Sequence, residues 1–219
     1  MKRIALALVS LLLPAVAFAG ESAGIRGGTL GYGIELSNSS SGSFGIRLGA
    51  DTYTRKWSGT QSSIDYDMKL KLQTASIVSD WYPFRNNFRM SLGLMYDGNK
   101  LTLTGKPTGG NYTINGVIYQ ASEVATLDAQ VDFKKIAPYF GIGYGRPIGR
   151  GLSFIADLGV LYQGSPKSTI NVTCGSAIQG TATCTQLQNN ATAEQTKLDD
   201  SLRSYKYYPV IALGLAYTF

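Results

Sequence analysis

Bulky apolar side chains recur at every second position through much of the chain, and glycine or charged residues fill the positions between. A strand has a side-chain period of two, so each such run places one apolar and one small or polar face back to back. Leu30, Tyr32, Ile34 and Leu36 alternate with Thr29, Gly31, Gly33 and Glu35, and Phe44, Ile46, Leu48 and Ala50 with Gly45, Arg47, Gly49 and Asp51. Met68, Leu70 and Leu72 alternate with Lys69, Lys71 and Gln73 in a run that ends at Trp81-Tyr82-Pro83. Phe88 to Met95, Pro138 to Gly145 and Leu152 to Leu161 repeat the form. So does the last run, in which Leu213, Leu215, Tyr217 and Phe219 share a face opposite Ala212, Gly214, Ala216 and Thr218. These runs predict seven strands and an all-β chain.

A two-layer soluble sheet also alternates. The small side separates the two cases, because glycine and charge share it in strand after strand. That suits the crowded interior of a narrow barrel whose outside meets lipid. Tyr32, Trp81, Tyr82, Phe88, Tyr144, Tyr217 and Phe219 fall near strand ends, as interfacial aromatic girdles do. The run Leu213, Leu215, Tyr217, Phe219 resembles the C-terminal assembly signal of bacterial outer-membrane barrels, which implies recognition by the barrel-assembly machinery.

The other end reads as a secretory signal peptide over residues 1–19. Lys2 and Arg3 precede the apolar stretch Ile4 to Val16, which Pro14 interrupts, and Ala17-Phe18-Ala19 fits a cleavage site. That stretch is shorter than the ~20 residues of a membrane-spanning helix. An exported chain that enters a membrane without such a helix must do so as a closed barrel, the only sheet with no open edge. Residues 20–219 are expected to form one barrel domain. Bacterial single-chain barrels have an even number of strands, so an eighth strand must precede Thr29, and only a short one fits. The fold expected is an antiparallel up-and-down transmembrane β-barrel of eight strands in the outer membrane of a Gram-negative bacterium. Its surroundings would be outer-membrane lipid and lipopolysaccharide, and it would be a monomer.

Connections near 38–43, 83–87 and 146–151 are short and suit periplasmic turns, while 57–65, 99–130 and 163–204 are long and suit extracellular loops. Within the second, Asn115-Gly116 between apolar runs predicts a tight type I′ hairpin. Tyr112, Val117 and Tyr119 beside it are either an adhesive surface or packing for the hairpin. The third contains Cys174 and Cys184, expected to be disulfide-bonded in an exported chain, and a short helix over Thr192 to Ser204 with a Thr192/Gln195 capping box.

The formal charge of +6 includes the signal residues Lys2 and Arg3, and the basic positions are dispersed, so there is no nucleic-acid footprint. The chain has no histidine, which removes the usual base for hydroxyl or water activation; neither an enzyme nor a metal or other cofactor is expected. Alternation assigns Glu35, Arg47, Asp51, Lys69, Lys71, Arg89, Asp97 and Asp157 to the barrel interior. An Arg or Lys facing lipid at mid-membrane would cost ~2–4 kcal/mol. Inside, these residues either fill the lumen with ion pairs or line a thin water path, in which Asp51, Asp97 and Asp157 would attract cations.

Four strings go beyond generic barrel pattern: Asn115-Gly116-Val117-Ile118-Tyr119, Ile136-Ala137-Pro138-Tyr139-Phe140-Gly141-Ile142-Gly143, Tyr162-Gln163-Gly164-Ser165-Pro166-Lys167 and Lys206-Tyr207-Tyr208-Pro209-Val210. In this order they resemble the CarO-type family of small outer-membrane channels, the ornithine-uptake porins, from about Leu30 to Phe219. The resemblance implies an eight-stranded barrel and a narrow channel for small basic or zwitterionic amino acids, and it maps no catalytic or binding residue. The alternative is a closed structural or adhesive barrel acting through its extracellular loops. The short region before Thr29 and the Cys174/Cys184 loop depart from the family pattern.

Overall fold

The computed structural model describes residues 21–39, 42–61, 64–107 and 110–219. The expected signal peptide, its cleavage site and Gly20 lie outside the described residues. In chain order the elements are β1 (Glu21–Gly28), β2 (Gly31–Ser39), β3 (Phe44–Gln61), β4 (Ile64–Trp81), β5 (Phe88–Asp97), β6 (Lys100–Pro107), β7 (Asn111–Ile114), β8 (Val117–Gln120), β9 (Val124–Asp132), β10 (Ile136–Tyr144), β11 (Gly151–Tyr162), β12 (Lys167–Cys174), α1 (Ala182–Leu202) and β13 (Tyr207–Thr218).

Eight of these strands close into a ring of antiparallel pairs in the order β1, β2, β3, β4, β5, β10, β11, β13 and back to β1. All seven strands expected from alternation are in it. The eighth is the short β1, whose Ser22 lies opposite Thr218 of β13 and whose Gly28 lies opposite Ala212. Large apolar residues are exposed on the outside of every ring strand, among them Ile25, Ile34, Ile46, Ile77, Leu92, Phe140, Phe154 and Leu213. Among the described residues no helix is long and apolar enough to cross a membrane.

Both ends of the described chain and the short connections 82–87 and 145–150 lie at one end of the ring. The other end is built up. β3 and β4 have 18 residues each, about double the 9 of β2. Their outer halves run past the ring, so 57–65 is mainly a continuing hairpin and not a loop. β4 forks: Thr74 to Trp81 pair with β5 in the ring, while Ile64 to Lys71 pair with β6. β9 then pairs with β6 and β12 with β9, so the second and third long segments hold sheet that sequence reading left as loop.

The β7–β8 hairpin forms as expected, with Asn115 (φ 53°) and Gly116 (φ 80°) both at the positive φ that a type I′ turn requires. Its Tyr112 and Tyr119 are buried with Ile114, Val124, Ile178, Leu187 and Ala191 in an apolar cluster under α1. They pack the hairpin and offer no adhesive surface. The Cys174–Cys184 disulfide ties the end of β12 to the first turn of α1, as expected. The helix begins at Ala182, ten residues before the start read from sequence. Its N-cap is Thr181, and Thr192 donates its hydroxyl to the Gln188 carbonyl instead of forming a capping box. The ring, the protruding sheet and this cap make up the described residues.

Candidate functional site

Residues of the ring interior come from the small face of each strand, and the glycines there make room for large polar side chains. A Cβ on Gly49 would land on the side chains of Arg26 and Ser76, and one on Gly143 would press on Arg89. Three arginines thereby reach the middle of the ring and meet four carboxylates. Arg26 of β1 grips Asp51 of β3 with two bonds, at 2.8 and 2.6 Å, and donates to Glu35 of β2 at 2.7 Å. Thr74 of β4 donates a further bond to Asp51.

Arg47 of β3 is the hub. It donates to Glu35 at 3.1 Å, to both oxygens of Asp157 at 3.1 Å, and to Asp80 of β4. Its Nε lies 2.5 Å from Asp80. Arg89 of β5 donates to Asp157 at 2.9 Å and to the carbonyls of Gly145 and Tyr144. Ser91 donates to Asp80 at 2.6 Å. In the ring, β3 and β11 stand four strands apart in either direction, so the Arg47–Asp157 pair spans the full diameter. Apart from the partly buried Arg26, every member of the cluster is nearly inaccessible, with Arg89 and Asp80 each 1% exposed. Guanidinium forks and carboxylates in this geometry form charge-assisted bonds, while the buried Arg89 Nε has no hydrogen-bond partner among the described residues.

Beside the charged cluster sits an apolar one of Leu30, Val78, Met95, Ala137, Tyr139, Leu161 and Val210. A cavity of about 10 Å³ remains where the two meet, lined by Arg26, Arg47, Asp51, Asp157 and Tyr139 among others. That is room for about one water molecule. Among the described residues no group of His, Cys, Asp and Glu is placed to hold a metal ion.

Of the eight residues assigned to the interior, Glu35, Arg47, Asp51, Arg89 and Asp157 converge in this cluster. Asp97 is fully buried but apart from it, at the end of β5, where it accepts a bond from the Asn99 backbone N–H. Lys69 and Lys71 are a correction: both are exposed, on the outer face of β4. They share that face with Ile77 and Trp81, while Leu72, Thr74, Ser76, Val78 and Asp80 point inward. The polarity of both faces inverts half-way along β4. Its inner half lines the ring, and its outer half stands beyond it, where Tyr66 packs against the cluster under the cap and Met68 stays exposed. Tyr82 also differs from expectation, being buried with Arg146 stacked 5.0 Å from its ring centroid. Sequence reading missed Arg26 and Asp80. Both were signalled by parity, since Ile25 and Trp81 must face outward and their neighbours inward.

The fold and its interior define a class: a small ring of eight antiparallel strands with an apolar outside and a charged, filled centre. No protein-family profile matches the chain, and no curated protein matches it. Among solved structures, Acinetobacter baumannii CarO is similar, with 21% identity and a TM-score of 0.57 over 90% of this chain and 97% of that one. Acinetobacter baumannii CarO2 is similar to the same degree, with 21% identity and a TM-score of 0.56 over 93% and 100% of the two chains. The chain has the fold of the CarO-type barrels, in keeping with the sequence strings that resemble that family.

Proposed function

We propose that the protein is an outer-membrane β-barrel whose lumen is a narrow conduit for small basic or zwitterionic amino acids, held shut in this conformation by the arginine–carboxylate cluster. The membrane part of the reading is supported by the apolar outside of all eight ring strands, a surface far larger than the few hundred Å² that soluble monomers tolerate. The built-up end of the ring is the extracellular one, and the short turns are periplasmic.

The observation that carries the conduit is the choice of filling. Apolar side chains of similar volume would seal the centre at no desolvation cost, since buried ion pairs are often no better than well-packed hydrophobic replacements. Arg47 is shared among Glu35, Asp80 and Asp157, so it keeps carboxylate partners when one of them is given up to a solute. Four carboxylates facing three guanidiniums also leave one negative charge in excess, which favours cationic solutes. An ammonium or guanidinium entering the lumen takes the place of Arg47 on Asp157, and the diameter-spanning bridge opens.

Liposome swelling with refolded protein tests this, with folding checked by the heat-dependent shift in gel mobility. Arginine and ornithine should enter faster than glutamate or a neutral sugar, and Arg47→Ala should raise the swelling rate several-fold for all of them. A second reading is a permanently closed barrel that acts through its cap, favoured by the near-absence of free volume beside the cluster. Folded wild-type and Arg47→Ala proteins that admit no solute would establish that reading in place of the first.

A further inference from the structure

Two features of the outer wall take no part in the lumen, and they adjoin one another along β3. The first is an apolar groove of about 650 Å³ on the outside of β13, β1, β2 and β3. Its floor is Gly27, Ala50 and Thr52, and Ile25, Tyr32 and Leu213 stand up beside it. A Cβ added to Gly27 would meet nothing within 4 Å, so this is open space bounded by side chains. Its lining is apolar, which is the chemistry of a seat for an acyl chain.

The second is a block of lysines directly beyond the groove. Outward positions on β3 run Ala50, Thr52, Thr54, Lys56, which puts Lys56 roughly 13 Å along the strand from the groove floor. Lys56 stands opposite Lys69 on β4, and Lys71 stands opposite Lys100 on β6. Like charges directly opposite one another are destabilising, and here there are two such pairs on three adjacent strands. Only Lys100 has an acidic partner, Asp132 at 3.6 Å; among the described residues Lys56, Lys69 and Lys71 have none. Asp67 and Asp65, further out on the same face, take hydroxyl bonds from Ser58 and Thr60. The two lysine pairs thus call for anionic charge from outside the chain. Thr54 faces Lys71 and Thr102 faces Lys69, placing hydroxyls between the cations.

We propose that this face binds one molecule of a bisphosphorylated, multiply acylated glycolipid, with a chain in the Gly27 groove and its phosphates on the Lys56/Lys69 and Lys71/Lys100 pairs. The inference rests on the membrane reading above and specifies the lipid that the outer wall selects. A glycerophospholipid has one phosphate and fits one pair. A phosphorylated disaccharide spans both, and its hydroxyls meet Thr54 and Thr102.

The test is native mass spectrometry of the refolded full chain in detergent. It is titrated with bisphosphorylated lipid A, dephosphorylated lipid A, phosphatidylglycerol and inorganic phosphate. Wild type should bind one bisphosphorylated molecule, and the double variant Lys69→Gln/Lys71→Gln should weaken it on the order of tenfold or more. Gly27→Leu, whose Cβ would stand in open space in the groove, should weaken both lipid A forms while leaving solute swelling and heat-modifiable folding unchanged. Equal binding of the dephosphorylated form or of phosphatidylglycerol would overturn the proposal, as would unaltered binding by both variants. Protein that inserts into vesicles but binds no glycolipid sinks the site alone; protein that never inserts sinks the membrane reading with it.

Discussion

Arg47 and Lys69 are both cations on long strands of the ring, and the contrast between them shows what position decides. Arg47 is held by three carboxylates from three other strands. Among the described residues Lys69 has no acidic partner, and it projects outward. Asp80→Asn removes the negative charge of one partner of Arg47 while keeping an Oδ1 acceptor for Ser91, leaving part of a buried guanidinium uncompensated. The expected loss is about 3–5 kcal/mol, seen as a clear fall in the temperature of the heat-modifiable shift. Lys69→Gln, at an exposed position, should stay within about 0.5 kcal/mol of wild type in the same assay. Equal shifts for the two would mean that the cluster does not stabilise the ring. The interior residues themselves were legible wherever the strand's apolar partner face was obvious, as at Glu35, Arg47, Arg89 and Asp157.

Elements beyond the ring obey different constraints, which is why alternation misled there. On β4 the apolar parity reverses mid-strand, so extending the Met68, Leu70, Leu72 face as the outward one turned the lysines inward. On β12 the run Ile170, Val172, Cys174 carried a strand signal of its own, with its apolar side turned to the cap. The disulfide closes a short loop against α1, and Cys174→Ser should cost about 2–3 kcal/mol by a loop-entropy argument. That loss should fall on the docking of α1, visible as faster proteolysis within 182–202, with the ring's heat resistance unchanged. Docking also depends on Asp199, whose carboxylate accepts the Ser168 backbone N–H at 2.6 Å and its hydroxyl at 2.8 Å. These bonds, chiefly the backbone one, hold its pKa below the ordinary carboxylate value, with Lys167 adding to the effect. A depressed pKa in the folded state means stability that is present above the ordinary carboxylate range and lost as pH falls through the lowered value. Protection of α1 amides, measured relative to their intrinsic exchange rates, should therefore fall as the pH drops below about 4. Asp199→Asn should exchange faster at neutral pH and lose most of that pH dependence; an unchanged profile would remove Asp199 from the account.

For the molecule as a whole, the question is whether the centre opens. The bridge between β3 and β11 fixes opposite walls of the ring to each other, so solute passage and ring stability are coupled through the same charges. Swelling faster in Arg47→Ala than in wild type, with a lower heat-modifiable transition, is the joint signature expected of a lock. The sequence by itself determined the all-β class, the ring strands with their short first member, the Asn115-Gly116 turn and the cysteine pair. Each of these depends on a local period or on neighbours close along the chain. Only the tertiary structure decided that the interior charges meet across the diameter, that β4 changes environment half-way along, and that the long connections form a sheet and cap. Those outcomes depend on which distant strands become neighbours in the closed ring, and a side-chain period of two is blind to that choice.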